Sequence, residues 1–88
     1  MDFNGKVILI TGGTGSFGQK FLETVLERYE PRKVIIFSRD ELKQEEMRLR
    51  FQNSKIKFYI GDVRVRGSVD DAMPGVDYVF HAAALKQV

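Results

Sequence analysis

Eighty-eight residues permit one small domain, which would hide about 60–65% of the surface that its unfolded chain exposes. Hydrophobic residues at 43% and charged residues at 30% are ordinary globular proportions, so disorder, collagen-like repeats and coiled coil are excluded. Cysteine is absent, and a net charge of +2 is too weak and dispersed to imply a nucleic-acid partner.

The opening residues Met1 to Lys6 carry one acid, one base and no long apolar core, so no signal peptide is expected. No apolar run approaches the roughly 20 residues that span a bilayer, and a cytoplasmic protein without a membrane partner is expected. Lys6-Val7-Ile8-Leu9-Ile10 is a continuous β-rich run of the kind buried on both faces of a sheet. A glycine-rich stretch, Thr11 to Gly18, follows it. From Ser16 to about Tyr29, Phe17, Phe21, Leu22, Val25 and Leu26 fall at helical spacing, and Pro31 stops the helix.

Val34 to Phe37 predicts a second buried strand, closed by Ser38-Arg39-Asp40. A charged helix from about Asp40 to Phe51 comes next, with Leu42, Met47, Leu49 and Phe51 as its apolar positions. Lys55 to Ile60 predicts a third strand, more exposed on one side. Gly61-Asp62 turns the chain into a short helix from Gly67 or Ser68 to Met73. After the Pro74-Gly75 turn, Val76 to Phe80 predicts a fourth strand, leading into His81 and Ala82 to Ala84. The fold class is therefore α/β: a Rossmann-like doubly wound parallel sheet, βαβαβαβ, with strand order 3-2-1-4. Its ligand crevice belongs at the carboxyl ends of the strands, where the loops of unusual composition lie.

Gly13-Thr14-Gly15-Ser16-Phe17-Gly18 matches G-x-G-x-x-G between a buried strand and an amphipathic helix, the context that supports dinucleotide binding. One glycine permits the tight turn, one lets backbone approach a pyrophosphate, and one lets helix and strand pack closely. A structural glycine-rich turn is the alternative. At the end of the second strand stands Ser38-Arg39, where an acid would bind the ribose of NAD. An arginine there accepts a 2′-phosphate in bidentate fashion, which favours NADP. Alternatively Arg39 is solvated, and Asp40 is a ribose ligand or a helix N-cap. Asp62 and Val63 suit an adenine contact, or Asp62 caps the short helix. His81 has no visible orienting partner, so a packed role, or one supporting a neighbour at the site, is favoured over a catalytic one. Ala82 and Ala83 are small enough for backbone to pass a cofactor. Lys86 faces phosphate or substrate, or is solvated. No metal ligands and no catalytic residue are expected within these residues.

With these motifs in view the chain resembles the extended short-chain dehydrogenase/reductases through Thr11 to Gly18. More narrowly, Phe37 to Gln44, Tyr59 to Arg64 and His81 to Val88 resemble the polysaccharide-biosynthesis nucleotide-sugar dehydratases. These are the UDP-N-acetylglucosamine 4,6-dehydratases, notably the C5-inverting type used for flagellin glycans, capsule and O-antigen. The resemblance implies NADP held by Gly12, by Thr14, Gly15, Ser16, Phe17 and Gly18, and by Ser38, Arg39, Asp40, Glu41, Leu42 and Lys43. It also implies contacts from Asp62, Val63, Ala82 and Ala83, with Lys86 reaching cofactor or substrate, a UDP-sugar substrate, and a homo-oligomer. The implied reaction moves a hydride from sugar C4 to NADP, loses water across C5 and C6, and returns the hydride at C6.

Val65-Arg66-Gly67 departs from the family, whose members carry more acidic residues there. The family's Asp-Lys pair and Tyr-x-x-x-Lys motif lie further along the chain. Residues 1–88 are accordingly expected to be the N-terminal part of an NADP-binding domain, inactive alone. An epimerase or reductase of the same superfamily, a non-enzymatic NADP sensor, and an unstable truncation product are the alternatives.

Overall fold

The computed structural model describes residues 2–82, and of Arg66 the backbone alone. The sheet is built from β1 (Val7–Thr11), β2 (Lys33–Ser38), β3 (Ile56–Ile60) and β4 (Tyr78–His81), with α1 (Ser16–Arg28), α2 (Glu41–Phe51) and α3 (Arg66–Asp70) between them. All pairings are parallel and the order is β3-β2-β1-β4, as the alternation of strand and helix patterns predicts. Thr11 pairs with Phe37 and with His81, and Ser38 pairs with Ile60. The four carboxyl ends therefore finish nearly level along one rim.

Every residue of β1 is buried, which explains its unbroken apolar run. Successive side chains alternate between two cores. Ile8, Ile10, Val34, Ile36 and Ile56 face Leu22 and Val25 of α1 and Met47 of α2. Val7, Leu9, Ile35 and Phe37 face Ala72, Val69 of α3, and Val76. Helices on both faces make the sheet doubly wound. At the amino-end rim Phe3 stands edge-on to Tyr29, Tyr78 and Phe80 at 5.0–5.7 Å, geometry that favours ring-edge to ring-face attraction.

Two sequence expectations are corrected. Leu42 and Leu49 do not face the core: they are 71% and 64% exposed. The buried stripe of α2 runs through Gln44 and Met47 instead, with Phe51 packed at its edge, because residues three and four apart share a helix face. The fourth strand starts at Tyr78 rather than Val76. Val76 packs into the core before the strand begins, and Asp77 ties to Val7 through its backbone N–H and its carboxylate. Among the described residues no helix is long and apolar enough to cross a membrane.

Candidate functional site

The level carboxyl ends of β1, β2 and β3 open onto a cleft of about 670 Å³. From β1 and its loop it takes Thr11, Gly12 and Thr14; from the end of β2, Phe37 to Asp40; from the loop after β3, Gly61 to Arg64. The glycine turn forms one wall. Gly12 adopts φ +67°, a left-handed conformation that a side chain disfavours. Its N–H donates to the Phe37 carbonyl at 2.9 Å, which ties the turn to β2. Gly15 is the N-cap of α1, has extended backbone, and supplies no side-chain cap to the first-turn N–H groups. Those groups and the helix dipole present partial positive charge at the rim. A Cβ on Gly15 would meet only the Gly12 carbonyl oxygen, at 3.6 Å, an ordinary contact. Internal packing therefore places no demand for glycine at this position. Gly18 differs, since a Cβ there would sit 2.6 Å from Gly13 Cα. Ser16 and Phe17 open α1 and are exposed.

The second wall is the β2–α2 turn. Ser38 is buried, and its Oγ accepts from the Asp40 N–H and from Gln44 Nε2, each at 3.2 Å. Asp40 is the N-cap of α2: its Oδ1 accepts from the Lys43 N–H at 3.0 Å. The capping alternative for Asp40 is thus present, on a residue that also lines the cleft. Glu41, Leu42 and Lys43 form the exposed first turn of α2 and do not line the cleft. The Arg39 side chain is 66% exposed and lies over the opening, with its Nη1 3.6 Å from Asp62 Oδ2.

The third wall centres on Asp62. Its carboxylate accepts from the Arg64 N–H at 2.9 Å, from Arg64 Nε at 3.0 Å and from Arg64 Nη2 at 2.8 Å. These hydrogen bonds, helped by the nearby Arg39 charge, hold its carboxyl down at about 2. The same contact raises the Arg64 guanidinium. Asp62 does not cap α3, whose N-cap is Val65. That alternative is set aside because the carboxylate is occupied within its own turn. Val63 beside it is exposed.

At the β1–β4 junction His81 is exposed rather than packed, with Nδ1 2.7 Å from Thr11 Oγ1. The packed alternative is corrected, because the parallel register sets His81 beside a threonine hydroxyl at the rim. Ala82 is buried against the α1 face of the sheet. Ala83 and Lys86 lie outside the described residues. The structure thus brings Gly12, Thr14, Ser38, Arg39, Asp40, Asp62 and Val63 around one cleft. Sequence reasoning left Thr11, Phe37, Gly61 and Arg64 out of the cleft's lining, and it left out Gln44 behind the β2–α2 turn. Arg64 carried no signal beyond its neighbour Asp62. Gln44 did carry one, as a polar residue in step with Met47 and Phe51 on a core-facing stripe.

A family described as polysaccharide biosynthesis protein matches residues 8–88 of the chain. A UDP-glucose 4-epimerase of Rickettsia bellii (strain RML369-C) is 62% identical over 98% of this chain, which spans 26% of that relative's length. Among solved structures, Pen from Bacillus thuringiensis superposes with a TM-score of 0.83 at 40% identity, covering 90% of this chain and 24% of Pen. A short chain dehydrogenase/reductase family protein superposes with a TM-score of 0.69 at 26% identity, covering 90% and 34% of the two chains.

Proposed function

The chain belongs to the polysaccharide biosynthesis protein family, and from that premise we propose that it forms the NADP-binding part of a nucleotide-sugar-modifying enzyme. The observation that carries this reading is one cleft that joins a glycine turn, an exposed arginine and an anchored carboxylate, the turn leading directly into an uncapped helix N-terminus. Each fits one part of the dinucleotide. Gly12 and Thr14 to Gly18 form the turn that receives the pyrophosphate, with the first-turn N–H groups of α1, from Ser16 onward, as its donors. Ser38 to Lys43 receive the adenosine ribose, with Arg39 on its 2′-phosphate. Asp62 and Val63 meet the adenine edge. Ala82 and Ala83 pass beneath the cofactor, and Lys86 reaches phosphate or substrate.

When bound, the nicotinamide supplies a reversible hydride acceptor. The family resemblance gives the acid–base work to an Asp-Lys pair and a Tyr-x-x-x-Lys motif that its members carry further along the chain.

The substrate class is a UDP-sugar, with UDP-N-acetylglucosamine and 4,6-dehydration as the first reading, of the C5-inverting type. It rests on Ser38 to Lys43 and on the residues from Tyr59 to Arg64. A second reading, 4-epimerisation, is favoured by the name of the Rickettsia relative. Incubating the intact protein with UDP-N-acetylglucosamine and with UDP-glucose separates the two. Loss of water to a 4-keto-6-deoxy sugar supports dehydration, and change of configuration at C4 alone supports epimerisation. Failure of NADP and NAD to bind the protein in calorimetric titration would remove both.

A further inference from the structure

Asp62 lies between two arginines and treats them unequally. Arg64 fills the carboxylate: its N–H and Nε reach Oδ1 at 2.9 and 3.0 Å, and its Nη2 and Nε reach Oδ2 at 2.8 and 3.2 Å. A carboxylate offers about four acceptor sites, so little remains for a second guanidinium. Arg39 accordingly stays at 3.6 Å, outside hydrogen-bonding distance, with its side chain 66% exposed over the cleft. Both arginines line that cleft, although they belong to different loops.

We propose that Arg64 is a specificity-determining positioning residue: by occupying Asp62 it leaves the Arg39 guanidinium available to an anion on the adenosine ribose. The inference rests on the dinucleotide reading above and assigns a role to a residue outside the predicted contacts. Without Arg64, the carboxylate regains open acceptor sites within one side-chain movement of Arg39. A bidentate Arg39–Asp62 pair then forms at the expense of the incoming phosphate.

The test uses calorimetric titration of the intact protein with adenosine 2′,5′-bisphosphate and with adenosine 5′-monophosphate, which differ by the 2′-phosphate alone. The unaltered protein should prefer the bisphosphate. Arg64→Ala should weaken bisphosphate binding by about fivefold to tenfold, the lower end of what one charge-assisted contact contributes, and monophosphate binding by less than about twofold. Arg64→Gln should shift the ratio in the same direction. Adding Asp62→Asn to Arg64→Ala should restore the bisphosphate preference, because a neutral amide does not capture Arg39. An unchanged ratio in both Arg64 variants, equal loss for both probes, or no restoration in the double variant would overturn the inference while leaving the dinucleotide reading intact. An unaltered protein that binds neither probe would overturn both.

Discussion

Gly18 and Gly13 meet backbone to backbone: a Cβ on Gly18 would lie 2.6 Å from Gly13 Cα and 2.8 Å from its carbonyl oxygen. Nothing flexible stands in that gap. Gly18→Ala should therefore destabilise the fold by about 1–3 kcal/mol, the usual range for overpacking. Urea denaturation checks this, and an unaltered midpoint would show that the turn yields freely.

Gly15 makes the opposite prediction three residues earlier. Its Cβ position contacts only the Gly12 carbonyl oxygen at 3.6 Å, and its φ of −74° suits any residue. Gly15→Val should leave stability within about 1 kcal/mol, the scale of an N-cap change, and abolish NADP binding by standing between the turn and the pyrophosphate. Thermal melts beside calorimetric titration separate the two effects. A folded variant that binds NADP normally would take away the glycine turn's proposed role.

Arg39 is expected to distinguish the two dinucleotides. Arg39→Ala should weaken NADP binding by about 1–3 kcal/mol, one lost charge-assisted contact, and leave NAD binding nearly unchanged. Equal loss for both cofactors would assign Arg39 to the Asp62 contact alone.

Gln44 is 2% exposed, and its Nε2 donates to the Tyr59 carbonyl at 2.9 Å and to Ser38 Oγ at 3.2 Å. It ties α2 to β3 and to the turn that presents Arg39. Gln44→Met keeps similar volume and removes the donor, so a loss of about 1–3 kcal/mol is expected. Leu42→Gln on the exposed face of the same helix should stay within about 0.5 kcal/mol. Paired denaturation curves test the contrast, and equal effects would contradict the observed facing of α2.

The lowered carboxyl of Asp62 sets a pH dependence. A carboxylate depressed from 3.8 to about 2 stabilises the folded state fully above its ordinary value. That contribution fades as pH falls from there through about 2. The difference in melting temperature between the protein and Asp62→Asn should thus be flat from about pH 5 to 9 and shrink below about pH 4. A difference that changes around neutrality would implicate another group.

The sequence by itself determined the order of elements, because each is encoded in a window of a few residues. Val7 to Ile10 and Val34 to Phe37 are unbroken apolar runs, and runs of that kind belong to strands covered on both faces. Their alternation with helices restricts the sheet to parallel crossovers, and the glycine turn after β1 favours the Rossmann order that the sheet adopts. The glycine turn and Ser38-Arg39 were legible for the same local reason. Only the tertiary structure decided which polar groups share a partner. Arg39 and Arg64 converge on Asp62 because the register of β2 and β3 brings Ser38 level with Ile60, just before their loops diverge. Register likewise sets His81 beside Thr11. It also closes the space at Gly61, where a Cβ would lie 2.6 Å from Phe37 Cζ. Such pairings depend on strands meeting side by side, and residues tens of positions apart become neighbours only when the sheet forms.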